Sequence, residues 1–401
     1  MIMPEVRGIG VATPIGVSVP SFWTGATRGR CAIQRDAGFE RAGLRSQVCA
    51  RVDEDELRAS KWWRTAWTEE PRHVQLALVA AAEACEPGLY IDSTPSRRLG
   101  LVFSTAMGRV DNLETGATSK LVRGRTHARH AILGDALARE FDISGPVIGI
   151  SDGCTGGLDA FITACEMIED GDVDACLTVA SDAPLATLTM AAMDNLGVLS
   201  RRNDAPELSC LPFDRARQGM VMAEAAGALF LCGGRPASSS THLSMAVVRG
   251  HASVSNCRSM VSLRDAAADM ARCARGAMLA AGVSVQGIDH LNLHGSGTRQ
   301  NDEAEGAALR EVFGDHLDRI PAIAIKSLTG HGLAASNTVE LVAEVMVLQT
   351  GLLPPARGRG SDNPWGVRLV TGEAAHHRAV TGLKMNHGFG GFHSCVILSR
   401  P

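Results

Sequence analysis

Cys154 lies in the run Ile148-Gly-Ile-Ser-Asp-Gly-Cys154-Thr-Gly-Gly-Leu158, where an apolar strand pattern ends in small residues and a helical pattern begins. A thiol on such a strand-to-helix turn is expected to be exposed, with the helix N-terminus favouring its thiolate. Gly153, Gly156 and Gly157 would let a substrate approach the backbone. The N–H groups of the turn would supply half of an oxyanion hole. The plainer reading is a buried structural cysteine, and it fits most of the eleven cysteines of the chain.

Two further segments carry histidines. In Leu291-Asn-Leu-His294-Gly-Ser296-Gly-Thr298, a strand delivers His294 to a small polar loop, and Asn301, Asp302 and Glu305 follow on a helix. Histidine at a strand end suits a base or a hydrogen-bond donor; alone, it is more often a loop histidine with satisfied hydrogen bonds, and the plainer reading of Asp302 is a helix cap. In Ile323-Ala-Ile-Lys326-Ser-Leu-Thr-Gly-His331, an apolar strand again runs into a turn before a helix. Lys326 is then buried and needs a carboxylate, which Glu305 or Glu340 would supply. A fourth segment, Met385-Asn-His387-Gly388-Phe389-Gly390-Gly-Phe392, is a glycine-rich loop between strands whose backbone can present an N–H to a reacting oxygen. It lacks the lysine and the Ser/Thr of a phosphate loop. Strand ends offering one cysteine and two histidines point to nucleophilic thiol catalysis assisted by two imidazoles. Zinc would need four ligands at soft-ligand spacing, which the pattern does not offer, so no metal is expected.

The elements that must carry these residues alternate between strand and helix. Apolar strand runs fall at 6–13, 99–104, 147–151, 175–181, 226–232, 245–250, 288–294, 322–326, 379–384 and 395–399, with helical patterns at 74–85, 158–169, 265–281 and 338–350. Several strands lack polar alternation and read as buried on both faces. The order predicts a layered α/β protein. Residues 233–242, Gly-Gly-Arg-Pro-Ala-Ser-Ser-Ser-Thr-His, read as a linker between an N-terminal half, 1–232, and a C-terminal half, 243–401, of comparable element order. Net charge is −4, no stretch is densely basic and only 4% of residues are aromatic, which argues against a nucleic-acid partner. The scattered cysteines, with no Cys-x-x-Cys pair, suit a reducing cytoplasm. Glu5 and Arg7 interrupt any signal-peptide core, and no apolar run is long enough for a membrane span.

In their order along nearly the whole chain, these pieces resemble the β-ketoacyl-acyl-carrier-protein synthases, closest to the synthase II type of the thiolase-like superfamily. The resemblance runs from 8–16, Gly-Ile-Gly-Val-Ala-Thr-Pro-Ile-Gly, through Gly153-Cys154-Thr-Gly-Gly157, Leu199-Ser-Arg-Arg-Asn-Asp204 and Leu211-Pro-Phe-Asp214. It continues through His294-Gly-Ser-Gly-Thr298, Lys326-Ser-Leu-Thr-Gly-His331, Asp362-Asn-Pro364 and Gly388-Phe-Gly-Gly391.

The resemblance implies a five-layered α-β-α-β-α duplication with mixed sheets, normally a homodimer. It implies an acyltransferase that needs no cofactor of its own. Cys154 would take an acyl chain from the phosphopantetheine of an acyl carrier protein, and malonyl-carrier protein would decarboxylate and attack the thioester. His294 and His331 would stabilise the enolate, one of them also assisting deprotonation of the cysteine. Cys154 and Phe389 would form the oxyanion hole, with Phe389, between Gly388 and Gly390, gating the acyl pocket. Ser296 and Thr298 would bind the pantetheine arm, and Lys326 with Glu305 or Glu340 would order the histidines.

The departures from the family pattern are Ser151-Asp-Gly before the cysteine, Leu211 in place of Arg, His387 in place of Phe, and Phe392-His393 in place of Thr-Asn. In 61–70, where relatives carry a basic carrier-protein-docking helix, Glu69 and Glu70 dilute the charge and Trp62, Trp63 and Trp67 add apolar bulk. These point to a polyketide or other specialised pathway. Cyclisation, chain release or acyl transfer from the same acyl-cysteine is the second outcome considered. The third is a non-catalytic chain-length subunit, which Cys154 speaks against; a heterodimer of this chain with such a subunit is the alternative to the homodimer.

Overall fold

The computed structural model describes residues 2–86, 98–110, 130–233, 244–358 and 363–401. Among them, eleven strands share one hydrogen-bonded sheet. In the first half these are β1 (Pro4–Ala12), β2 (Leu99–Ser104), β3 (Val147–Ile150), β4 (Ala175–Asp182) and β5 (Ala225–Gly233). In the second they are β6 (Ala246–Ser255), β7 (His290–Asn292), β8 (Pro321–Ile323), β9 (Arg368–Leu369), β10 (Thr381–Gly388) and β11 (Phe392–Ser399). The main helices are α1 (Arg72–Ala84), α2 (Ala131–Glu140), α3 (Gly156–Glu169), α4 (Ala267–Ala281), α5 (Arg299–Phe313) and α6 (Ala334–Thr350).

Both halves repeat one topology. In the first the spatial order is β1-β5-β4-β2-β3, with two antiparallel pairings followed by two parallel ones. In the second it is β6-β11-β10-β7-β8 with the same sequence of senses, and β9 is added in parallel beyond β8. The two sheets join through a short antiparallel register, Glu5 against Val247 and Val6 against Ala246. Helices α1 and α2 cover the outer face of the first sheet, and α4 and α5 that of the second. Helices α3 and α6 pack against each other and against strands of both halves. The result is the expected sequence of five layers, α-β-α-β-α.

The layering explains the composition of the strands. Parallel strands covered on both faces read as continuous apolar runs, and every residue of β2 and β4 is buried. Helix α6, walled in on all sides, is buried from Ala334 through Val345 and still carries Asn337, Glu340 and Glu344. Buried polar groups of this kind require partners, and much of the candidate site consists of those partners. The close approach of the central helices depends on Gly157: a Cβ there would lie 2.3 Å from the carbonyl oxygen of Ala334.

Several expectations are corrected. The run 147–151 reads as an apolar strand like the others, but among the described residues β3 is the edge of the sheet, with Val147 43% and Ile148 36% exposed. Helix α2 was not legible because its buried stripe is short: Leu133, Gly134, Ala136 and Leu137. The helix read from 338 begins at Ala334, because the small residues ahead of Thr338 pack against α3. Gly233, the first residue of the expected linker, still belongs to β5, and 234–242 lie outside the described residues. Within 61–70 the chain forms only the 3-10 turn Thr65–Trp67, whose Trp67 ring is buried and donates to Glu140 at 3.0 Å. Asp362 also lies outside the described residues. Among the described residues no helix is long and apolar enough to cross a membrane.

Candidate active site

The turn after β3 places Cys154. Gly153 adopts φ +73°, a left-handed conformation that favours glycine. The single turn Gly153–Thr155 then leads into α3. The thiol is not exposed as the sequence suggested. Cys154 is buried in an apolar cluster with Leu185, Met190, Leu199, Met220, Met222 and Leu333. Burial pushes the thiol up to about 12, the Lys326 ammonium pulls it down, and Asp182 and Asp152 push it further up. Cys154 is therefore a neutral thiol near neutral pH. The glycines also divide differently from the expectation. Nothing lies within 4 Å of a Cβ on Gly153, whereas Gly156 faces Ser104 and Asp152 and Gly157 faces α6, so the last two serve packing.

His294 and His331 stand with their rings 5.3 Å apart, near perpendicular. Nδ1 of His331 accepts the backbone N–H of Leu333 at 3.1 Å. Nδ1 of His294 accepts from the side-chain amide of Asn386 at 3.0 Å. The same amide nitrogen reaches Glu340 at 3.4 Å, and a carboxylate only accepts, which fixes the orientation of Asn386. Both pKa values are held well below the usual imidazole range, first by burial and then by the Lys326 charge. Two neutral rings with Nδ1 engaged as acceptors carry their protons on Nε2. Each ring thus offers an N–H donor.

Lys326 is wholly buried, as the sequence suggested. Its ammonium donates to the carbonyl oxygen of His294 at 2.7 Å and pairs with Glu340. Of the two carboxylates proposed from sequence, Glu340 is the partner. Its second oxygen takes Lys384, also fully buried, at 2.9 Å. Glu305 serves otherwise, accepting the backbone N–H groups of His294 at 2.7 Å and Gly295 at 2.9 Å and the Asn301 amide at 3.1 Å. Burial raises Glu305 to about 7. One carboxylate therefore holds the His294 loop by its N–H groups, and the other holds it through an ammonium on its carbonyl.

The glycine-rich loop turns between β10 and β11, with Gly390 at φ +85° and Gly391 at φ +79°. A Cβ on Gly388 would lie 3.6 Å from that of Cys154, so this strand end lies against the cysteine turn, with Phe389 partly exposed beyond it. The hydroxyls of Ser296 and Thr298 meet at 2.9 Å, and Thr298 caps α5 in place of Asp302. Asp302 instead accepts the N–H groups of Phe213 at 2.7 Å and Gly297 at 3.2 Å.

Sequence reasoning did not find Asn386, Lys384 or Asp182. Lys384 was findable as a lysine in a strand without a solvent face. Asp182 stands one residue past the expected end of its strand. It accepts from Met107 N at 2.9 Å, Ala106 N at 3.0 Å, Thr105 Oγ1 at 3.0 Å and Ala334 N at 3.1 Å, tying the loop after β2 to the start of α6.

Comparison with known proteins agrees with this geometry. Residues 5–237 match the family model "Beta-ketoacyl synthase, N-terminal domain" and 245–358 match "Beta-ketoacyl synthase, C-terminal domain". The chain belongs to the β-ketoacyl synthase family. A putative polyketide β-ketoacyl synthase 1 of Streptomyces halstedii is 36% identical over 99% of this chain and 97% of its own. The tetracenomycin polyketide synthase ketoacyl synthase alpha subunit of Streptomyces glaucescens is 33% identical over 99% and 96%. Among solved structures, a type II polyketide acyl-carrier protein in complex with its ketosynthase bound to the hexaketide superposes with a TM-score of 0.89 at 29% identity, covering 100% of this chain and 99% of that one. Members of this β-ketoacyl synthase family are acyltransferases.

Proposed function

We propose that the protein is a β-ketoacyl synthase of polyketide biosynthesis that joins an acyl group on Cys154 to a malonyl unit with loss of carbon dioxide. The observation that carries this reading is the pair of neutral imidazoles, each with Nδ1 engaged and Nε2–H left to donate.

In the first half-reaction Cys154 Sγ attacks the carbonyl of an acyl thioester. The carbon–sulfur bond to the carrier breaks, and the thiol proton leaves with the carrier sulfur. Backbone N–H groups of Cys154 and Phe389 hold the transient oxyanion. In the second, a malonyl thioester enters along Ser296 and Thr298. Its carboxylate leaves as carbon dioxide, and the electron pair forms an enolate whose oxygen takes hydrogen bonds from His294 and His331. The enolate carbon attacks the acyl-cysteine, and Cys154 departs as thiolate. Lys326, Glu340 and Glu305 hold the His294 loop through both steps.

The carrier-bound relative supports an acyl carrier protein as donor of both groups. The exposed apolar edge β3 supports pairing with a second copy of the chain or with a chain-length partner of the same fold. We read 1–232 and 243–401 as the functional halves, one bringing the thiol and the other the donors, in a cytoplasmic enzyme. Intact-mass measurement tests the reading. An acyl thioester of pantetheine should add one acyl group to Cys154, and malonyl-pantetheine should then give the chain extended by two carbons. Acylation without loss of carbon dioxide would overturn it.

A further inference from the structure

A second buried ion cluster ties α6 to β7 beside the catalytic one. His290, the first residue of β7, is wholly buried, as is Glu344 on α6. Nε2 of His290 meets Glu344 Oε1 at 2.6 Å, and Nδ1 meets Asp289 Oδ1 at 2.7 Å. Carboxylates only accept, so a ring held between two of them donates from both nitrogens and carries a positive charge. Burial pulls His290 down, but Glu344 and Asp289 outweigh it and raise the ring to about 9. Glu344 Oε2 is buried without a hydrogen-bond partner among the described residues, so this carboxylate leans on the His290 ring. A side chain on Gly382 of β10 would collide with both Glu344 and His290, so that strand closes over the pair.

The surroundings of the ring are few. Asp289 accepts the N–H groups of Val380 at 2.8 Å and Thr381 at 2.9 Å, and the ring of His377, ahead of β10, lies 6.4 Å from that of His290. Lys384, two residues past Gly382 on β10, turns to Glu340. The neighbouring strand β8, Pro321–Ile323, carries no titratable residue. Glu344 and Glu340 are four residues apart on α6 and share a face. Glu340 pairs with Lys326, which donates to the carbonyl oxygen of His294 at 2.7 Å. Asn292 on β7 donates its amide to the Glu340 carbonyl oxygen at 2.8 Å. Strand β7 thus grips α6 at two points, His290 on Glu344 and Asn292 on Glu340, and ends two residues before His294. Charge-assisted hydrogen bonds are the stronger kind, so His290 supplies the firmer grip.

We propose that His290 is a positioning residue of the catalytic site: as an imidazolium clasped between Asp289 and Glu344, it fixes the register of α6 on β7, and through it the Glu340–Lys326 pair that holds His294. The effect on rate rests on the condensation reading above. His290 lies at the end of β7 away from His294 and acts through α6. When the ring loses its proton, one carboxylate loses its donor, and Glu344 must then take up a proton or shift. The clasp is therefore closed below about pH 9 and opens as pH rises through that value, while the Cys154 thiol titrates higher, at about 12.

His290→Gln removes the charge and leaves the Glu344 carboxylate without a cation, and His290→Gln combined with Glu344→Gln restores a neutral pair. The probe is malonyl-pantetheine with a labelled carboxylate, assayed for release of carbon dioxide from pH 7 to 10, alongside NMR of ring-labelled histidine. At pH 7 the single variant should lose about tenfold in kcat with KM within about twofold, and the double variant should recover to within about threefold of wild type, since small misplacements of reacting groups are costly. Wild type should lose rate as pH rises through about 9, and the double variant should not. In wild type both ring nitrogens of His290 should be protonated at pH 7, and the ring signals of His294 should move as His290 titrates. A neutral His290 ring, His294 signals that ignore its titration, or a double variant that is no faster than the single one or keeps the alkaline loss would overturn the clasp. A wild-type protein that releases no carbon dioxide would instead overturn the condensation reading, and the His294 signals would still judge the clasp.

Discussion

Leu333 donates its backbone N–H to His331 Nδ1 at 3.1 Å from a left-handed backbone conformation, φ +51°. A non-glycine residue in that region is strained, at a cost of order 1–3 kcal/mol. The strain holds a donor where it fixes the tautomer of His331 and leaves the proton on Nε2. His331→Ala should lower malonyl decarboxylation by about 10²–10³-fold, the usual loss for one such donor. His331→Gln, whose amide N–H can replace Nε2–H, should retain more of the rate. Release of labelled carbon dioxide checks both, and a glutamine variant no better than alanine would count against the donor role.

Lys326→Ala should destabilise the protein and misplace His294. Breaking a buried ion pair costs roughly 3–5 kcal/mol. Here Glu340 keeps Lys384 at 2.9 Å, so the loss should fall at the low end. Removing both lysines should cost more than the sum of the single losses, since the second removal leaves the carboxylate without a cation. Urea unfolding of the three variants measures this.

Cys154 and Cys257 should separate by reagent. Cys257 is exposed, whereas Cys154 is buried with its thiol pushed up to about 12. Iodoacetamide should therefore label Cys257 in the Cys154→Ala variant as fast as in wild type. Acyl-pantetheine should modify wild type at Cys154 and leave Cys154→Ala unmodified. Peptide mapping distinguishes the two, and stoichiometric acylation of another cysteine would sink the assignment.

Acid should weaken the fold through His393. Burial lowers it from 6.5 to about 4 in the folded protein. Between those values the unfolded chain binds the additional proton. The contribution is thus fully present above pH 6.5 and is lost as pH falls toward 4, at roughly 1.4 kcal/mol per unit and roughly 3 kcal/mol in all. The stability of His393→Asn should fall less steeply than that of wild type across this window. Unfolding curves from pH 4 to 7 give the slopes.

Ile148→Lys should yield a monomer. Residues Val147 and Ile148 are exposed on the strand that ends the sheet among the described residues, and an edge lysine blunts strand pairing. Sedimentation should show the wild-type chain as a dimer and the variant at half its mass with its helix content retained.

The motifs of the site were legible because each combines a strand end, glycine and a reactive side chain at fixed spacing. Cys154, His294, Lys326 and His331 could all be named in this way. What the motifs could not show was which side chain answers which. Glu305 and Glu340 were equal candidates for Lys326, and only the packing of α6 between the sheets assigns Glu340. Asn386 and Lys384 lie in a run that reads as ordinary strand, and their roles arise from partners 92 and 44 residues away, respectively. The exposure of β3 escaped the reading for a related reason. Apolar composition marks a strand that must be covered, without saying whether its own chain covers it.

The matching strand orders of the two halves place Cys154 and His331 at equivalent points, each between a third strand and a central helix. Two identical short chains related by a twofold axis could only set thiol against thiol there, or imidazole against imidazole. A reaction that needs both at one spot demands that the copies differ, and a single continuous chain guarantees that every molecule holds one of each. Covalent fusion thus does for this protein what assembly alone cannot: it breaks the symmetry of the scaffold while keeping its architecture.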